Sequence, residues 1–77
     1  MSHWVVKVGL DQVDPEFAKR IREQNPTAIK EVIEVGPKVF IVEPHASVRA
    51  EDLASQLTGA PGIAFASPVL RKDVETG

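Results

Sequence analysis

Four consecutive apolar residues, Val39-Phe40-Ile41-Val42, follow directly on a Gly36-Pro37-Lys38 turn and run into Glu43-Pro44. Successive side chains of a strand point to opposite faces of its sheet, so a strand here is apolar on both sides. The whole chain has 77 residues, near the lower limit of what folds on a hydrophobic core alone. It holds enough material to cover one side of a sheet. What covers the other side is the question the sequence poses.

The flanking segments say what kind of sheet this is. HWVVKVGL (3–10) is rich in β-branched residues and short, and predicts a strand with Trp4, Val6, Val8 and Leu10 on one face and Val5 and Lys7 on the other. A helix is predicted over 13–26, with Asp14 as N-cap, Pro15 at the first helical position and Pro26 as the stop. Phe17, Ala18 and Ile21 form its apolar stripe. TAIKEVIEV (27–35) predicts a second strand with Ile29, Ile33 and Val35 on one side, and its mixed other side suits an edge. The link Val35-Gly36-Pro37-Lys38 turns straight into the apolar run, which makes these two strands an antiparallel hairpin. A second helix is predicted within 45–62, with Ser47 as N-cap, Gly59 as C-cap and Ala50, Leu53, Ala54 and Leu57 at core-facing spacing. IAFASPVL (63–70) is a fourth strand, and Pro68, which lacks a backbone donor, means that it lies at an edge or finishes early. RKDVETG (71–77) is a polar tail with nothing to bury.

The order β-α-β-β-α-β implies an α+β, ferredoxin-like sandwich: residues 1–70 as a single domain, a four-stranded antiparallel sheet in the order 4-1-3-2, and both helices on one face. The apolar run is then a central strand. One of its pairs, Val39/Ile41 or Phe40/Val42, meets the helices, and the other lies on the helix-free face beside Val5. Bulkier Phe40 is assigned to the helix side, which leaves Val39 and Ile41 pointing away. An apolar patch of this kind marks a binding surface. Trp4, Phe40 and Phe65 are candidate core residues, at least two of which are expected to be buried.

Composition excludes several functions. Nine basic against eleven acidic residues give a formal charge of −2, whereas nucleic-acid binding calls for a basic face. With no cysteine there is no disulfide framework, zinc-thiolate site or thiol chemistry. His3 and His45 have no third ligand at metal-binding spacing. Ser47, His45 and Asp52 crowd one turn without the nucleophile elbow or oxyanion loop that acyl transfer needs. Gly36, Gly59 and Gly62 stand alone, outside any phosphate-binding motif. Acylphosphatases share the topology but carry an arginine-bearing loop after the first strand, where this chain reads GLDQVD. The expectation is a protein with no catalytic residues, no metal and no cofactor. No apolar run approaches the roughly 18 residues of a membrane span, so no membrane partner is expected. MSHWVVKVG lacks the basic start and the stretch of about 7–15 apolar residues of a secretory signal. A cytoplasmic location is expected if Met1 is the natural start, and an exported one if the domain is cut from a longer precursor.

The segment SVRAEDLASQLTGAPGIAFASPVLR (47–71) resembles the closing helix and strand of the N-terminal propeptides of subtilisin-like serine proteases. Those commonly read as a Leu/Ala-rich helix, a Pro-Gly-Val turn, then an aromatic, Ala and x-Pro. The matching residues are Leu53, Leu57, Pro61, Gly62, Ile63, Phe65, Ala66 and Pro68. The opening strand, the helix from Pro15 and the hairpin ending VFIVEP fit in order, so the resemblance spans about residues 4 to 70. It implies the fold inferred above, an open sheet face that packs on two surface helices of the protease catalytic domain, and a C-terminal tail in the substrate cleft. The module would help the protease fold and inhibit it until cleaved, in cis or in trans. On this basis Val39, Ile41, Val5, Pro68, Val69, Leu70, Arg71, Lys72 and Asp73 are the candidate partner-binding residues. Two alternatives stay open: a self-association or adaptor domain, with a homodimer through the same face, and a small-molecule regulatory domain binding at Gly9-Leu10-Asp11.

Overall fold

A computed structural model describes residues 4–70 of the chain. The elements run β1 (Trp4–Leu10), α1 (Phe17–Gln24), β2 (Ile29–Gly36), β3 (Val39–Pro44), α2 (Ala50–Thr58) and β4 (Ile63–Leu70). The strands form one antiparallel sheet in the order β2-β3-β1-β4, which is the predicted ferredoxin-like arrangement with β3 and β1 central.

The two central strands pair without a break: Val6 faces Val42, Lys7 faces Ile41, Val8 faces Phe40 and Gly9 faces Val39. Their alternation is therefore the plain two-residue period read from the sequence. Val6, Val8, Leu10, Phe40 and Val42 join Phe17 and Ile21 of α1 and Ala50, Leu53, Ala54 and Leu57 of α2 in one buried cluster. The rings of Phe17 and Phe40 lie 4.9 Å apart at 46°, a tilted pair within the favourable range. Phe40 is thus on the helix side, and Val39 and Ile41 are on the other.

The edge strands behave differently. In β2, Ile29 pairs with Pro44 and Glu31 with Glu43, so two residues advance against one and Lys30 is extra. In β4, Ile63 pairs with Leu10 and Phe65 with Gly9, which makes Ala64 the extra residue. Each bulge reverses the alternation that follows it. Ile29 consequently sits in the helix-side cluster with Val32 against it, while Ile33 pairs with Ile41 on the opposite face. The expectation that Ile29, Ile33 and Val35 share a face fails for this reason. A third offset, between Glu34 and Gly36, leaves Val35 extra and exposed beside the two-residue turn Pro37-Lys38.

Both helices are shorter than predicted. Asp14 does not cap α1 directly: it organises the turn before it, with Oδ1 accepting from the Glu16 amide at 3.1 Å and Oδ2 accepting from Arg20 Nη2 at 2.6 Å. The helix begins at Phe17 and ends where the Asn25 backbone amide and Nδ2 both donate to the Ile21 carbonyl, at 3.1 and 3.0 Å. At α2, Ser47 lies in the preceding turn and Arg49 occupies the cap position with extended backbone. Acidic Glu51 and Asp52 in the first turn suit the positive helix end, and Gly59 is at the C-cap as expected. Gly62 has φ of +84° in the turn that feeds β4, a conformation that favours glycine.

Candidate functional site

The face of the sheet turned away from the helices can be read as rows across the strands. At the end where β1 finishes, Phe65, Gly9, Val39 and Gly36 lie side by side, a row without charge. One step along, Ser67, Lys7, Ile41 and Ile33 form the middle row. The next step brings the pairs Val69–Val5 and Glu43–Glu31, where the face becomes acidic on the β2 side. Glu43 is buried, with Lys30 Nζ 3.7 Å from its Oε1.

These rows place the predicted partner-binding residues. Val39, Ile41, Val5 and Val69 share the helix-free face. Ile41 is only 3% exposed and Val5 is wholly buried, so the centre of this face is apolar but not open to water, contrary to the simple picture of an exposed patch. Val39 and Val69 are half-buried. Pro68 pairs with Val6, and Leu70 with Trp4, so both belong to the helix side and are brought together with the others by sequence alone. Arg71, Lys72 and Asp73 lie outside the described residues.

Two residues that the sequence reading did not assign to this face are its most accessible apolar members. Ile33 is 36% and Phe65 44% exposed. The reading of Phe65 as core fails because the Ala64 bulge carries its ring onto the helix-free side, above Gly9. A Cβ added at Gly9 would lie 2.6 Å from Phe65 Cζ and 2.7 Å from Cδ2, so the ring occupies the space that any other residue at position 9 would need. A glycine opposite an aromatic on an adjacent strand is the signal that could have found this pair. Trp4 is also exposed, at 54%; of the three candidate core aromatics, Phe40 alone is buried.

Two clefts lie elsewhere. One of about 520 Å³ is bounded by Trp4, Pro44, His45, Arg49 and Pro68, at the α2 N-terminus, with Arg49 ion-paired to Glu51. Another of about 390 Å³ lies between the loop after β1 and the turn before β4, with Arg20 bound to Asp14 on its wall. The Arg20 guanidinium, through its hydrogen bond, holds the Asp14 carboxyl below its ordinary range. Ser47 is exposed in its turn and His45 half-buried, its amide donating to the Ala28 carbonyl at 3.1 Å. Among the described residues no three His, Asp or Glu side chains gather as a metal ion would require, and no helix is long and apolar enough to cross a membrane.

No protein-family model, curated protein or solved structure matches the chain.

Proposed function

We propose that this chain is a non-catalytic, propeptide-like module that binds, helps to fold and inhibits a subtilisin-like serine protease. Contact would run through the helix-free sheet face and the tail 71–77. The observation that carries the reading is the division of the sheet. One face is filled by both helices. The other has a closed apolar centre at Ile41 and Val5, with half-buried Val39 and exposed Ile33 and Phe65 as the apolar surface left accessible around it. A surface so composed is suited to a partner. The residues that carry the family resemblance also occupy supporting positions. Leu53 and Leu57 are core anchors of α2, Pro61-Gly62 forms the turn, and Phe65 reaches the helix-free face.

In this role the sheet face supplies docking and the tail supplies the block of the protease cleft. Extended chain in a cleft gains affinity from main-chain hydrogen bonds and selectivity from side-chain pockets. Docking would make entry of the tail effectively intramolecular, raising its local concentration.

The test is to add the chain to a purified subtilisin and follow hydrolysis of a chromogenic peptide, and separately to measure recovery of activity by the denatured protease. Inhibition, together with a higher refolding yield, is expected. Removal of residues 71–77 should weaken inhibition more than binding. A chain that neither inhibits nor improves refolding at micromolar concentration would sink the reading.

A further inference from the structure

We propose that Phe65, seated on Gly9, is the anchor of the helix-free face, and that the catalytic domain meets it with an uncharged apolar patch. The inference rests on the propeptide reading and adds the residue that holds the partner and the chemistry it selects. Of the four aromatic residues in the chain, Phe17 of α1 and Phe40 of β3 are buried in the core between helices and sheet and Trp4 lies beside the α2 cleft. Phe65 alone reaches the helix-free face.

Its ring is both exposed and held. The missing side chain at Gly9 gives it a seat, and 44% of the residue remains open to solvent. A rigid aromatic already in its bound position loses little freedom on association, which is why such residues dominate interface energetics. The surroundings define what it will accept. Its row, Gly9, Val39 and Gly36, has no charge, and the next row offers only Lys7. A cationic partner group placed here would lose water and meet only repulsion from Lys7, and a carboxylate would lose water for a single solvent-exposed lysine. An apolar group meets neither cost. Phe65 also stands at the far end of β4 from Leu70, five residues away, or roughly 16 Å at strand spacing. The anchor therefore stands well apart from Leu70, the last residue of β4.

The experiment compares wild type, Phe65→Ala, Phe65→Leu, Gly9→Ala and the Gly9→Ala/Phe65→Ala double variant as inhibitors of purified subtilisin. Thermal unfolding of each is recorded alongside. Phe65→Ala is expected to weaken inhibition roughly tenfold or more, the mark of an interface anchor. Phe65→Leu should stay within about threefold, because apolar replacements of similar size cost little. Gly9→Ala displaces only a half-exposed ring, so the domain should remain folded while inhibition drops. In the Phe65→Ala background it should add nothing, as expected of two residues acting as one unit. If Gly9→Ala fails to fold, the Ala and Leu variants at Phe65 still decide.

Wild type that inhibits while Phe65→Ala inhibits equally well would overturn the anchor and leave the propeptide reading standing. Wild type that does not inhibit overturns both. A Leu variant as weak as Ala would mean that the ring face meets a cation, against an apolar patch. Additive effects in the double variant would refute the seat. Sedimentation showing a dimer that Phe65→Ala dissolves would assign the residue to a second copy of the chain instead.

Discussion

Adjacent residues Val5 and Val6 are both completely buried, yet they lie on opposite faces of the same sheet. Val6 is covered by the helices as part of the main core. Val5 faces away from them, in register with Val69. The helix-covered face is buried through its centre, at Val6, Val8, Phe40 and Val42, and opens only at its margin, where Trp4 is exposed. The helix-free face is instead closed at Val5 and Ile41 and open at Ile33 and Phe65. Lack of a helix overhead is therefore not the same as exposure. A docking surface on this molecule has a filled centre and accessible flanks, and its affinity must be sought at the flanks.

The sharpest way to break that comparison begins on the covered side. Leu53 is fully buried between α2 and the sheet, and Leu53→Ala should lower stability by about 2–5 kcal/mol in urea denaturation. For a domain this small that is a large share of the total. A loss well below this range would mean that the core relaxes around the cavity.

Val5→Ala and Val6→Ala apply one chemical change to both faces. Each removes two buried carbons, worth roughly 1–2 kcal/mol of transfer energy, and the two losses should be alike. Should Val5→Ala cost nothing, the centre of the helix-free face is open in solution. The same argument revises the expectation for Ile41. A lysine at a position only 3% exposed should destabilise the free domain, so Ile41→Lys is a poor probe of docking.

Ile33→Lys is the better one. It alters an accessible flank, and its effect on stability should stay within about 0.5 kcal/mol, while inhibition of the protease falls. A large loss of stability would place Ile33 in the core instead.

The smallest effect concerns the loop before α1. Arg20 depresses the Asp14 carboxyl, so the folded state favours its charged form. The stability this contributes is present above the unfolded carboxylate range and is lost as pH falls through the depressed folded value. Asp14→Asn should therefore flatten the acid limb of a stability-against-pH profile slightly, and do little at neutral pH. An unchanged acid limb would remove the pair from the stability account.

The sheet order, the helix side of β3 and the buried residues Phe17, Ile21, Leu53 and Leu57 were legible in the sequence. The reason is physical: β1 and β3 pair without interruption, and α2 keeps one stripe inward. Legibility failed at the edges. An extra residue in β2 and another in β4 reverse the alternation, and nothing in the residue types of Lys30 or Ala64 announces this. Edge strands tolerate such bulges, which also discourage pairing with other chains. The cap of α2 was misplaced because Ser47 has a strong intrinsic preference for that role, while the turn Val48–His45 sets the helix start two residues later. Of the site, Val39, Ile41 and Val5 followed from alternation; Phe65 and Ile33, each beyond a bulge, did not.

The bulge at Ala64 also bears on which genetic lesions the domain can absorb. Ile63 already faces Leu10 and Phe65 already faces Gly9, so an in-frame loss of the Ala64 codon would leave every cross-strand partner of β4 where it stands. Losing one codon between Phe65 and Leu70 would instead turn the remaining strand inside out, sending apolar side chains to the wrong face. Length variation in this strand thus has one silent position, and it lies next to the residue on which docking is proposed to depend.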